Sequence, residues 1–263
     1  MPPKRTPTNI RYYDDEDLKS LLNIVALNGN GYKISRIAKL HKQQVLDLVH
    51  QLNTNWDNEA VQLLSLSGAA MKYDETAFSK ILTGCIEEMG LIKTMDTVLF
   101  PFMKRIGMLW QTGTIDPSQE HFASNLIRDR IIVEIDKVLK PEVENPMRFL
   151  LFLPEGEMHE TGLLFARYLL KKCGHETLYL GPEIPYADIE KVISAYRPDY
   201  AFIVLTSLNL GKDVNRIITK VMDYVNVPLL VAGSLISEFD ILVKDRLIPL
   251  KDVCEMVGFL EEL

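Results

Sequence analysis

The stretch RFLLFLPEGEMHETG, Arg148 to Gly162, decides how this chain is read. Arg148 to Leu153 is a continuous apolar run. It is too short for a core helix and is closed by Pro154 and Gly156, so it reads as a strand buried on both faces. Helical spacing then takes over from about His159 to Cys173, and Gly174 stops it. The same alternation continues downstream. Strands are expected at Thr177–Leu180, Tyr200–Thr206, Pro228–Ala232 and Leu247–Leu250. Helices fall between them at Tyr186–Tyr196 and about Lys212–Val225, and a last helix closes the chain. Short apolar strands with helical crossovers imply an α/β domain over residues 146–263, a doubly wound parallel sheet of Rossmann-like or flavodoxin-like type. Such sheets bind ligands beyond the carboxyl ends of their strands.

Upstream the pattern is all-α. Residues 55–141 hold four helix-length segments separated by Tyr73-Asp74, Met89-Gly90 and Gly113 to Pro117. Apolar residues recur at spacings of three and four, as in Ile81, Cys85 and Met89, or Val98, Phe102, Ile106 and Leu109. A four-helix bundle buries four such stripes. Pro101 falls inside the third segment and should kink it. Pro141 to Pro146 reads as a linker. In residues 1–54, three prolines among the first ten residues suggest an extended arm or β-wing. Asp14 to Asp17 can cap a helix carrying Leu18, Leu21, Leu22, Ile24, Val25 and Leu27. Asn28 to Gly31 breaks it, and a second helix is expected from about Ser35 to Leu52.

With 263 residues, 47% apolar and 25% charged, the chain is globular and long enough for two or three domains. No apolar run approaches the roughly 20 residues needed to cross a bilayer, and no signal-peptide core is visible. A cytoplasmic protein without membrane contact is expected. Cys85, Cys173 and Cys254 are widely spaced and form no CxxC pair, so they read as buried packing residues. The net charge of −7 disfavours a polyanion partner for most of the chain. Residues 1–50, however, carry eight Lys/Arg against five acids, which leaves −10 for the remainder. Any polyanion contact therefore belongs at the N-terminus.

Three loops converge at the carboxyl edge of the expected sheet: Pro154 to Gly162, Thr206 to Asn209, and Ala232 to Ser234. His159 on an ordinary turn could be an exposed or helix-capping histidine. Alternatively, Glu157 accepts a hydrogen bond from one ring nitrogen, fixes the tautomer, and leaves the other nitrogen to a metal. One imidazole cannot hold a free ion firmly, so the metal would arrive already ligated. Gly162 and Gly233 would admit a bulky ligand.

The ExHxxG pattern of Glu157, His159 and Gly162, followed by Thr206-x-Leu208 and the strand-end Gly233, resembles the cobalamin-binding domain of methionine synthase and its relatives. The resemblance implies His159 as the cobalt ligand in place of the cofactor's own base, with the nucleotide tail in a slot beside Thr206, Leu208 and Gly233. Two departures stand out: Glu157 where Asp is commoner, and Ala232-Gly233 in place of a double glycine. Trp110 followed, after nine intervening residues, by Glu120-His121 is similar to the helical cap of the cobalamin photoreceptor repressors of the CarH and LitR type. Read alone, Trp110 is a core aromatic and Glu120-His121 a solvated pair. The resemblance instead implies that they cover the upper face of the corrin around an adenosyl group. Lys4-Arg5-Thr6 and Asn9 to Tyr13, with the helices that follow, resemble the wing and second half of a MerR-type winged helix-turn-helix, although the recognition helix is not among these residues. Arg5, Arg11 and Tyr12 are the candidate phosphate contacts.

Together these resemblances imply a MerR-like transcriptional regulator that binds adenosylcobalamin, or methylcobalamin, and changes homo-oligomeric state, dimer or tetramer, in response to the cofactor or to light. It would not be an enzyme. A corrinoid carrier for a methyltransferase and a regulator that has lost its cofactor are the alternatives. Gln111 bears on the light response: it occupies the position at which the photoreceptors place a second, light-state histidine ligand.

Overall fold

A computed structural model describes residues 4–5, 11–12, 24, 27–28, 31–45, 48, 59–111, 115–139, 141–206, 214–242 and 246–263. The chain divides into two compact units, Met1–Ile127 and Arg128–Leu263.

In the first unit, β1 (Lys4–Arg5) and β2 (Arg11–Tyr12) pair antiparallel, with Lys4 opposite Tyr12 and Arg5 opposite Arg11. The helix expected over Leu18 to Leu27 lies mostly outside the described residues. Its end is visible: Leu27 is fully buried, Gly31 at φ 85 donates its N–H to the Asn28 carbonyl, and Tyr32 donates to that of Leu27. Glycine supplies the left-handed residue that closes such a turn. The single helix expected over Ser35 to Leu52 is broken. Helix α1 covers only Ile34–Ile37, and helical backbone resumes at residue 42. Gln44 reaches back to accept the His41 N–H at 2.9 Å, half of a capping box, so a new helix start competes with continuation.

The bundle helices of this unit are α2 (Glu59–Met71), α3 (Glu75–Thr94), α4 (Phe100–Gln111) and the first half of α5 (Pro117–Lys137). Tyr73, at φ 54, turns the chain between α2 and α3, and the Asp74 side chain caps α3 by accepting the Ala77 N–H. Gly90 interrupts α3 with φ 77 and ψ 162. The disturbance expected at Pro101 takes the form of a π turn over Met95–Leu99, where Phe100 donates to the Met95 carbonyl five residues back. Proline lacks the N–H that would continue the regular ladder, and a widened turn accommodates the loss. Phe78 sits at the centre, edge-on to Phe102 and Phe122 at 5.7 and 6.4 Å. Cys85 is buried as expected, whereas Cys173 is half-buried and Cys254 exposed, so the packing role holds for one cysteine of three.

The second unit contains a five-stranded parallel sheet in the order β4-β3-β5-β6-β7. Its strands are β3 (Arg148–Pro154), β4 (Glu176–Ile184), β5 (Tyr200–Val204), β6 (Leu229–Ala232) and β7 (Leu247–Leu250). Its helices are the second half of α5 with α6 (Thr161–Lys172), α7 (Tyr186–Tyr196), α8 (Val214–Tyr224), α9 (Ser234–Glu238) and α10 (Val253–Glu261). Both faces of the central strands are covered, which is why Phe149 to Leu153 form an unbroken apolar run with no solvent exposure. One face packs Leu150, Phe152, Ile203 and Val231 against Ile189, Ile193, Ile218 and Val221. Strand β4 runs four residues past the expected Leu180, because Gly181 (φ 85) and Glu183 (φ 55) let it bend while still pairing with β3. From β3 the chain crosses to one side to form β4, and from β5 it crosses to the other. The crevice at this switch point lies beyond the ends of β3 and β5.

Candidate cofactor-ligand site

The loop after β3 carries the chemistry. Pro154 ends the strand, Gly156 turns the chain at φ 89, and Glu157 donates its N–H to the Pro154 carbonyl at 3.1 Å. The Glu157 side chain is completely buried, and four donors meet its carboxylate. Oε1 accepts the backbone N–H of His159 at 3.0 Å and lies 2.7 Å from the ring Nδ1. Oε2 accepts the Thr206 N–H at 2.8 Å and faces the Thr206 hydroxyl at 3.4 Å. A buried carboxylate is tolerated when it is this fully hydrogen-bonded. The bond at Nδ1 places the proton there and the lone pair on Nε2, the nitrogen able to bind a metal. The imidazole itself is 61% exposed, and Met158 beside it is also exposed.

Three consecutive residues at the end of β5 organise the site. Thr206 meets Glu157, Val204 meets Gly162 and Leu205 meets Gly233. A Cβ on Gly162 would lie 2.9 Å from Val204 Cγ1, so α6 crosses β5 at a distance only glycine permits. A Cβ on Gly233, where φ is 112, would lie 2.3 Å from the Leu205 carbonyl oxygen. The steric need for both glycines thus comes from helix and backbone packing, a different reason from the access for a bulky ligand expected from the sequence.

Two further carboxylates hold the same loop and were not anticipated. Glu160 lies 2.5 Å from both the Tyr179 hydroxyl on β4 and Arg128 Nε on α5. Burial first, then the bond to Glu160, push the Tyr179 phenol up, and the same carboxylate raises Arg128. Glu155 accepts the first N–H of α7, from Tyr186, at 3.4 Å and faces Lys220 at 3.9 Å. The only sequence signal was the spacing of acids at 155, 157 and 160; the partners lie far away along the chain.

The remaining expected residues are placed as follows. Trp110 ends α4 and is 49% exposed, so it is not a core aromatic. Glu120 and His121 lie in the first turns of α5, Oε2 to Nδ1 at 3.3 Å, with the His121 side chain 74% exposed. That end of α5 is tied into its own unit. Gln119 accepts the Asp116 N–H and donates to the Met71 carbonyl, both at 2.8 Å, and Tyr73 bonds Ser118 at 2.6 Å. Leu208 lies outside the described residues, as do the side chains of Arg5, Arg11, Tyr12 and Gln111.

The residues present fit a cobalt corrinoid. Among the described residues no group of three or more His, Cys, Asp or Glu could hold a bare metal ion. The donor set is one imidazole, oriented by a buried carboxylate and standing at the edge where such sheets bind ligands. That suits a metal whose other positions are already filled.

Comparison with known proteins agrees. The MerR HTH family regulatory protein family matches residues 1–44, and the B12 binding domain family matches residues 63–133. The HTH-type transcriptional repressor CarH of Myxococcus xanthus is 27% identical over 242 residues, covering 89% of this chain and 80% of that protein. The repressor CarA of the same organism is 29% identical over 189 residues, 65% of this chain and 62% of its own length. The monomethylamine corrinoid protein of Methanosarcina barkeri shares the fold at a TM-score of 0.56 and 13% identity, over 75% of this chain and 96% of that one. By these matches, the chain is similar to MerR-type regulators that carry a B12-binding module.

Proposed function

We propose that the chain is a DNA-associated switch that binds adenosylcobalamin, with methylcobalamin as the other candidate, and uses His159 Nε2 as the lower ligand to cobalt. The observation that carries this is the buried Glu157 carboxylate, which holds Nδ1 of an exposed imidazole and anchors it to Thr206 at the end of β5. When bound, the cofactor would supply a cobalt centre whose bond to carbon is cleaved by light. Glu157 holds the ring and its tautomer, Thr206 holds Glu157, and by the resemblance Leu208 and the backbone at Gly162 and Gly233 would lie beside the ligand. By the resemblance, exposed Trp110 with Glu120 and His121 would supply apolar and polar groups for an adenosyl group.

Occupancy would favour one homo-oligomeric state, dimer or tetramer, and loss of the upper ligand would release it. Arg5, Arg11 and Tyr12 on the paired N-terminal strands would meet DNA phosphates, a contact weakened or absent without a recognition helix, in a cytoplasmic protein. The domain division that accompanies this reading is 1–54, 55–141 and 146–263. With glutamine at position 111, a second histidine for cobalt would have to come from His121 or another group. No helix among the described residues is long and apolar enough to cross a membrane.

The test is a titration of the full chain with adenosylcobalamin in darkness, followed by its visible spectrum and sizing before and after illumination. Retention of the cofactor, and a spectrum altered by His159→Ala, are expected. A protein that retains no cofactor, or a His159→Ala variant with the original spectrum, would overturn the assignment.

A further inference from the structure

The ligand loop is fixed at more than its middle. Glu157 ties it to β5, on one side of β3, through Thr206. Glu160 ties it to β4, on the other side, through Tyr179, and to α5 through Arg128. His159 stands between the two. Glu160 precedes the first residue of α6, a position where a side chain ordinarily turns back to cap the helix, yet its carboxylate makes no capping bond and reaches sideways instead. The residue is used for lateral attachment at the expense of the cap.

We propose that Glu160 is a second positioning residue for His159, fixing the end of the ligand loop as Glu157 fixes its middle. The inference rests on reading His159 as the cobalt ligand. Glu160 restrains the backbone that carries the imidazole: its bonds to Tyr179 and Arg128 hold the residue that follows His159 from two sides. The Glu160 side chain is only 16% exposed, and the Arg128 guanidinium pairs with the carboxylate there. Arg128 also lies about two turns beyond Glu120 and His121 on α5, so the partner of Glu160 belongs to an element the proposed function already uses.

The experiment uses the full chain and adenosylcobalamin in darkness, with wild type, His159→Ala, Glu160→Ala, Glu160→Gln and Tyr179→Phe. Dissociation constants and visible spectra are measured, and hydrogen exchange over residues 155–160 is followed without cofactor. Glu160→Ala should bind about tenfold more weakly, the lower end of what loss of an outer partner of a metal ligand causes. At saturation it should show a mixture of imidazole-bound and imidazole-free spectra, and its loop should exchange faster. Glu160→Gln keeps an acceptor oxygen for Tyr179 or Arg128 and should recover much of the loss. Tyr179→Phe, which removes one hydroxyl, should fall between wild type and Glu160→Ala and carries the test if the alanine variant does not fold.

Wild-type affinity and spectrum in both Glu160→Ala and Tyr179→Phe, or in Tyr179→Phe alone should the alanine variant not fold, overturn the role of Glu160 and leave His159 standing. A wild type that binds nothing, or a His159→Ala variant with an unchanged spectrum, overturns both readings, and those two samples alone reveal it.

Discussion

Replacing Glu157 by glutamine keeps the shape of the side chain and removes one acceptor oxygen. Four donors now meet two oxygens: the His159 N–H and ring Nδ1 on one, the Thr206 N–H and hydroxyl on the other. An amide turned with its oxygen towards His159 presents its NH2 to the Thr206 N–H. Turned the other way, it presents NH2 to the His159 N–H and to Nδ1. Either orientation leaves a buried backbone donor unsatisfied, which costs about 1–3 kcal/mol, and the loss of charge weakens the remaining bonds by about 1 kcal/mol. The expected destabilisation is therefore about 2–4 kcal/mol.

The second orientation also makes Nδ1 an acceptor and moves the ring proton to Nε2, removing the lone pair that would bind cobalt. Affinity for adenosylcobalamin should fall about 10- to 100-fold. Urea unfolding of the cofactor-free protein measures the first quantity and a spectral titration the second. His159→Ala is the comparison. It leaves the Thr206 contacts of Glu157 in place, so it should lose ligation with a smaller loss of stability. A glutamine variant within about 0.5 kcal/mol of wild type, binding with about the same affinity, would refute the account of Glu157 as a charged clamp.

Gly233→Ala puts a methyl 2.3 Å from the Leu205 carbonyl oxygen at φ 112; that carbonyl is held by the Leu235 N–H, so a loss of about 3 kcal/mol or more is expected in urea unfolding. A loss under about 1 kcal/mol would mean the strand end can shift. Gly162→Ala should cost about 1–3 kcal/mol through its 2.9 Å approach to Val204, and Val204→Ala in the same chain should return part of it. Strict additivity of the two changes would remove that contact as the cause. A thiol-alkylating reagent at neutral pH should modify exposed Cys254 first and Cys85 only on unfolding, with the order read by mass spectrometry. Burial pushes the Cys85 thiol from 9.0 up to about 11. The unfolded chain ionises first, so native stability should decline as pH rises from about 9 to about 11 and be unaffected below that range.

The sheet could be read from the chain because its signals are local. Strands buried on both faces are short apolar runs, and Gly174 and the 28–31 turn are glycine stops with the left-handed φ expected of them. Where the reading fell short, a competing local interaction decided the outcome. Gln44 capping His41 splits the helix expected over Ser35 to Leu52, and the missing N–H of Pro101 becomes a π turn. The extension of β4 depends on a glycine and a glutamate with positive φ. Only the glycine announces itself in a sequence.

The site was legible to a different depth. His159 and Glu157 are two residues apart, and the bond between them follows from that spacing once the turn exists. Thr206 is 49 residues from Glu157, so its part as an anchor for the buried carboxylate required β3 and β5 to be neighbours. The same adjacency explains why glutamate serves at a position where aspartate is the commoner choice. One oxygen must return to the His159 backbone and ring while the other reaches the amide at the end of the next strand. The two oxygens of a carboxylate are equally far apart in either residue; the additional methylene carries the buried group further from its own backbone, out to the Thr206 amide. Glu157→Asp is then not a conservative change in this chain. The shorter side chain can keep the bonds to His159 or those to Thr206, and the anchor it gives up should appear either as lost ligation or as faster exchange at the end of β5.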